Sequence, residues 1–178
     1  MTRLFIILAY AAISMSCLSG QNSTDSIQWP TEYHPSISQF FVHNEIEIKA
    51  TPATVWGHLI DALKWPQWYK GAQKVTLSPP TDTLLQANAV FNWKTMGLKF
   101  QSTILQFDPY RLLAWESKKP SIRGYHVWWI VPTANGCRVI TEELQNGWLT
   151  FFEKTFQGKK LERLHALWLQ ELKTKSEH

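Results

Sequence analysis

His126 is the first residue with chemical potential. It stands in Gly124-Tyr125-His126-Val127-Trp128-Trp129-Ile130-Val131, a run apolar on both faces apart from the imidazole itself. A neutral imidazole held among aromatic rings can act as a general acid or base, and the same ring can equally be a satisfied core residue. Glu142 and Glu143 come next. Adjacent residues of a strand face opposite sides, so one of these carboxyls points inward. Burial without a cation would raise its pKa, a property of functional carboxylates. His126 with the inward glutamate, taken as Glu143, would make a proton-transfer pair suited to enolisation or cyclisation.

The remaining titratable groups read as structural. Asp61 closes a helix, and His34, His43, His58 and His165 lack metal-ligand spacing. Cys137 follows a turn with no histidine in its motif, and no Gly-rich phosphate loop, GxSxG elbow or HExxH is present. No metal and no cofactor are therefore expected.

Aromatic side chains are the other resource. Ten tryptophans is a high number for 178 residues. Phe91 and Trp93, Phe100, Trp115 and Trp128 fall on four separate apolar stretches and could line a cup opposite Phe152 and Phe156 of a terminal helix. They either surround a ligand space or pack against one another and fill it.

These side chains need a frame, and the chain supplies one. Phe40 to Lys49 ends in strict alternation, a half-buried strand. Thr51-Pro52 caps and starts a helix carrying Val55, Trp56, Leu59, Ile60 and Leu63, and Trp65-Pro66 opens a second short helix that closes at Gly71. Strands follow at Val75–Leu77, Ala89–Trp93, Leu98–Phe107, Leu112–Ser117, Gly124–Val131 and Cys137–Leu144, with a hairpin signal at Asn135-Gly136. From Gly147 to Lys175, Trp148, Phe152, Phe156, Leu161, Leu164, Trp168 and Leu172 recur at three- or four-residue steps with one five-residue slip beside Gly158, the mark of a long amphipathic helix. The order predicts an α+β fold: a seven-stranded curved antiparallel sheet, two short N-terminal helices and a long C-terminal helix.

Residues 1–16 read as an export signal, with Arg3 ahead of an apolar run from Leu4 to Ile13 that is too short to span a bilayer. Cleavage after Ser16 leaves Cys17 first, so the stretch resembles a bacterial lipoprotein signal, and lipidation of Cys17 would tether the protein to a membrane. Ordinary signal cleavage at the same bond is the alternative. Either route predicts an exported protein, in the bacterial periplasm or anchored as a lipoprotein. Residues 17–37 are polar and punctuated, a linker or tether on which Trp29 and Tyr33 could dock, and residues 38–175 form the folded domain. The formal net charge of +4 comes from scattered basic residues without a stripe, which excludes nucleic acid as a partner.

Ile46-Glu47-Ile48-Lys49-Ala50-Thr51-Pro52, Val55-Trp56, Trp65-Pro66-Gln67-Trp68, Asp108-Pro109, Leu113-Ala114-Trp115, His126-Val127-Trp128, Gly136-Cys137-Arg138-Val139 and Leu164-His165-Ala166-Leu167-Trp168-Leu169 occur in this order. Together they resemble the START-like, birch-pollen-allergen-like helix-grip superfamily, SRPBCC, with its polyketide cyclase/dehydrase and lipid-transport branch. The resemblance implies a hydrophobic cavity between sheet and final helix. It leaves three readings: binding or transport of a hydrophobic small molecule (lipid, isoprenoid or polyketide-like), a metal-independent cyclase or dehydratase using His126 and Glu143, or a structural or interaction domain with a filled core.

Overall fold

The computed structural model describes residues 27–178, with the side chains of Leu149 and of residues 151–158 left aside. The export signal and Cys17 lie outside the described residues. Seven strands form one sheet: β1 (Phe40–Ile48), β2 (Gln73–Ser78), β3 (Val90–Thr95), β4 (Leu98–Asp108), β5 (Leu112–Lys118), β6 (Arg123–Thr133) and β7 (Gly136–Asn146). Their spatial order is β1-β7-β6-β5-β4-β3-β2, all neighbours antiparallel. Two short helices, α1 (Pro52–Ile60) and α2 (Trp65–Trp68), link β1 to β2, and α3 (Trp148–Ser176) closes the chain. This is the α+β helix-grip arrangement predicted from the sequence, with the sheet curved around the long helix.

Local chemistry explains the joints. The Thr51 hydroxyl accepts from the Thr54 amide at 3.2 Å and caps α1 beside Pro52. Met96 and Gly97 both adopt positive φ, the conformation of a tight β3–β4 hairpin turn. Between β6 and β7, Thr133 pairs directly with Gly136, leaving a two-residue loop, Ala134-Asn135. Gly147, at φ +128°, turns the chain off the sheet into α3, where a Cβ would stand 2.6 Å from the Ser121 carbonyl oxygen. No other residue fits that approach.

The sheet has two buried faces. On the inner face, under α1, α2 and α3, Trp65 meets Phe91, Trp93, Trp115 and Trp168 at ring-centroid distances of 5.2–6.0 Å. Its indole N–H donates to the Leu59 carbonyl. On the outer face a smaller core of Leu112, Ala114, Tyr125, Val127 and Leu144 is covered by the segment before β1. There Tyr33 stacks on Tyr125 at 5.2 Å and donates its phenol proton to Glu116, while Trp29 meets the edge of Tyr125.

The apolar stripe of α3 runs through Leu161, His165, Trp168, Leu169 and Leu172, all buried, with Leu164 on its flank. Trp148, expected on that stripe, is instead 67% exposed. It occupies the first helical position, directly after the Gly147 turn. Replacing Trp65 by Ala should cost about 3–5 kcal/mol, the range for removing a fully buried large aromatic. Guanidinium unfolding followed by circular dichroism measures it, and a loss below about 1 kcal/mol would contradict this packing.

Candidate functional site

The β6–β7 pairing sets the site. Glu143 lies directly opposite His126, and His126 in turn lies opposite Trp115 on β5. Directly paired residues of an antiparallel ladder share a face with their Cβ atoms about 5 Å apart, so imidazole and carboxylate meet on the inner face. His126 Nδ1 stands 3.2 Å from Glu143 Oε2. Its other nitrogen is 2.8 Å from the hydroxyl of Thr141, the diagonal neighbour on β7. Glu142 points the other way and pairs with His43 at 2.7 Å on the outer face. The inward glutamate is Glu143.

A third group comes from above. His165, on the buried stripe of α3, places Nε2 at 3.1 Å from the same Oε2 of Glu143. The second carboxylate oxygen accepts from the Gln145 amide at 2.6 Å. Glu143 is thus a carboxylate with both oxygens engaged. His126 lies between Trp115 (4.6 Å) and Trp128 (5.5 Å, nearly parallel), with the His165 ring 4.7 Å away. Those rings fix the plane of its imidazole.

The electrostatics follow from burial and contact. Burial pushes the Glu143 carboxyl up, but the hydrogen bonds from His126 and His165 outweigh it and hold the group well below the usual carboxylate range. Burial pushes His126 down to about 4, against the opposing pull of Glu143. Tyr69 is raised well above the ordinary phenol value by burial and by the Glu143 charge. At neutral pH Glu143 is an anion and His126 a neutral ring, the states in which an imidazole can donate or accept a proton without first being discharged.

The cluster opens into a cavity of about 50 Å³. Trp93, Trp115, Tyr69 and Trp168 wall its interior, and half-buried Leu98, Phe100 and Leu164 lie at its edge. Tyr69 and Trp168 stack at 4.3 Å and 10°. A polar string crosses one side: Trp93 Nε1–H donates to the Ser102 hydroxyl, which is 2.7 Å from the Ser117 hydroxyl on the cavity wall.

Of the aromatic residues expected to line a cup, Trp93, Phe100 and Trp115 do so. Phe91 lies behind them against Trp65 and Trp115, and Trp128 packs beneath Trp168. The side chains of Phe152 and Phe156 are outside those described. His126 and Glu143 come together, and His165, which sequence reasoning assigned to a plain surface or core role, joins them. One signal for it existed: Leu161, His165, Trp168 and Leu172 are spaced by four, three and four, which puts the imidazole in the middle of the buried stripe.

Both His126 and Glu143 bind protons less readily in the folded chain than in the unfolded one. Stability therefore rises with pH across their range and falls as pH drops from 6.5 through about 4. A loss of a few kcal/mol is expected over that window, read as a falling midpoint in urea unfolding at stepped pH. A flat profile from pH 7 to 4 would contradict the assignment.

Residues 39–177 match the family model described as polyketide cyclase/dehydrase and lipid transport. No curated protein matches the chain. Among solved structures, a hypothetical protein of Helicobacter pylori, jhp0584, is 24% identical with a TM-score of 0.79, over 86% of this chain and 98% of that one. The two-domain ARO/CYC protein StfQ of the steffimycin biosynthetic pathway is 13% identical with a TM-score of 0.62, over 77% of this chain and half of that one. Norcoclaurine synthase from Thalictrum flavum is 12% identical with a TM-score of 0.53, over 73% of this chain and 84% of that one. Those structures share the fold, and the family match spans nearly the whole folded domain: the chain belongs to the polyketide cyclase/dehydrase and lipid-transport family.

Proposed function

We propose that this protein binds a hydrophobic small molecule carrying a polar oxygen function. The apolar body lies against Phe100, Leu98 and Leu164, and the oxygen reaches the His126–Glu143–His165 cluster. One observation carries the reading: the His126–Glu143–His165 cluster forms part of the wall of an otherwise largely apolar cavity. Ligand sites are typically apolar clefts with a few convergent polar groups and perturbed titratable residues.

Volume refines the picture of a cup enclosing its guest. A dry cavity of about 150 Å³ admits benzene, and drug-sized ligands take about 300–1,000 Å³. An interior of about 50 Å³ holds the polar end of such a molecule, with its apolar remainder toward the half-buried edge. The family description names polyketide chemistry and lipid transport, and molecules of both classes combine an apolar body with oxygen functions.

Binding is tested on the purified chain with 2-naphthol and lauric acid, by tryptophan fluorescence and native mass spectrometry. At least one should bind saturably at one per chain. Leu164→Trp, which fills the edge of the cavity, should weaken it at least tenfold, about 1.4 kcal/mol, with the melting temperature unchanged. Failure of both probes to bind, or binding indifferent to Leu164→Trp, would sink the reading.

A second reading is acid–base catalysis of the cyclase or dehydratase type, favoured by the 3.2 Å contact between His126 and Glu143. His126 Nε2, released from the Thr141 hydroxyl, would take a proton from a carbon next to a carbonyl while Glu143 holds the ring through Nδ1–H. Hydrogen–deuterium exchange at the α-carbon of 2-tetralone, followed by NMR in D2O, should then be faster with the protein and lose at least tenfold of that gain in His126→Gln. Equal exchange with both proteins removes His126 from proton transfer.

A further inference from the structure

The three side chains of the cluster are more than its hydrogen bonds require. One N–H on Glu143 Oε2 and the Gln145 amide on Oε1 would already satisfy both carboxylate oxygens. The chain nevertheless buries a second imidazole, His165, whose Nδ1 has no hydrogen-bond partner among the described residues. An orphaned buried polar atom of this kind costs about 1–3 kcal/mol, and an aliphatic residue on the same helical stripe would avoid it. His165 does donate a second hydrogen bond to Oε2, but at the cost of its own buried Nδ1.

Coordination accounts for His165. His126 Nδ1 and His165 Nε2 lie 3.2 and 3.1 Å from Glu143 Oε2, and the three candidate ligand atoms lie within 4.8 Å of one another. A tetrahedral zinc ion, about 2.0–2.2 Å from each nitrogen or oxygen ligand, has ligand edges of roughly 3.3 Å. Two of the three edges are thus already near that length, and the third, between the two imidazole nitrogens, is at most 4.8 Å. The surroundings also fit. The Thr141 hydroxyl can accept from His126 Nε2–H once Nδ1 is occupied, and Gln145 holds the other carboxylate oxygen, the outer contacts that orient ligating histidines and carboxylates. The cavity provides room for a fourth ligand.

We propose that His126, His165 and Glu143 form a three-ligand site for a divalent first-row transition ion, with its fourth position open to the cavity. Two imidazoles and one carboxylate are the donor set of catalytic zinc sites and of non-haem iron sites. Each imidazole ligates as the neutral ring with its proton on the far nitrogen, and no electron is transferred. The inference rests on these side chains and not on the bound organic molecule, so metal titrated alone separates the two.

The test uses the full chain, stripped with EDTA and titrated with zinc in competition with a chromophoric chelator, then with cobalt(II). One equivalent should bind, cobalt should give the visible bands of a four-coordinate ion, and E143Q or H165Q should weaken binding by more than about 100-fold, beyond the loss typical of outer contacts. Zinc should also shift the ring nitrogen resonances of His126 and His165 in the unmodified protein and leave the other four histidines unmoved, a readout independent of whether the variants fold. Zinc binding no tighter in the parent than in folded E143Q, or shifts confined to the other histidines, would overturn the site.

Discussion

Trp168 is the contact through which α3 becomes part of the fold. Its ring stacks on Tyr69 from the end of α2 and meets Trp65, Trp93, Trp115 and Trp128 at 5.0–6.3 Å. One side chain therefore locks the final helix to a short helix and to β3, β5 and β6 at once. Residues three and four apart on a helix share a face, so fixing Trp168 also fixes His165 above β6 and β7. Without that anchor the chain would still carry two histidines and a glutamate, but no geometry among them.

The site costs the core something. An anionic carboxylate under a helix is expensive to desolvate unless every oxygen is hydrogen-bonded. Here the strand register supplies one imidazole, the helix another and Gln145 an amide, while aromatic rings exclude water from most of the surroundings. The same tryptophans that stabilise the inner core leave only a small chamber at the cluster. Packing and chemistry thus compete for one volume, and in this chain packing has taken the larger share.

Much of this was legible in the residues. Alternation, the Thr51-Pro52 cap and the turn at Asn135-Gly136 mark elements whose physics is local, and their order fixes an antiparallel sheet with a closing helix. The His126–Glu143 contact was also within reach. Seven residues back from Thr133 and seven forward from Gly136 across a two-residue loop are His126 and Glu143, so a tight hairpin makes them face each other. The loop residues proved to be Ala134 and Asn135, with Gly136 already paired in β7. His165 escaped because choosing Leu164 as the stripe position rotated the helix by one residue, about 100°. Cavity size was not legible, since it is the small difference between large side-chain volumes set by rotamers and strand curvature. Trp148 shows the same limit: periodicity assigns a face, but the direction in which the chain leaves the sheet decides whether that face is covered.

The docking of Tyr33 and Trp29 on the outer side of β5–β7 sets the molecule's polarity in space. The main chain enters this domain from behind the sheet, while the chamber lies under the helix on the front. The two faces of the sheet are thus divided: the outer one is closed by the chain's own Tyr33 and Trp29, and the inner one is left to the helix and the chamber.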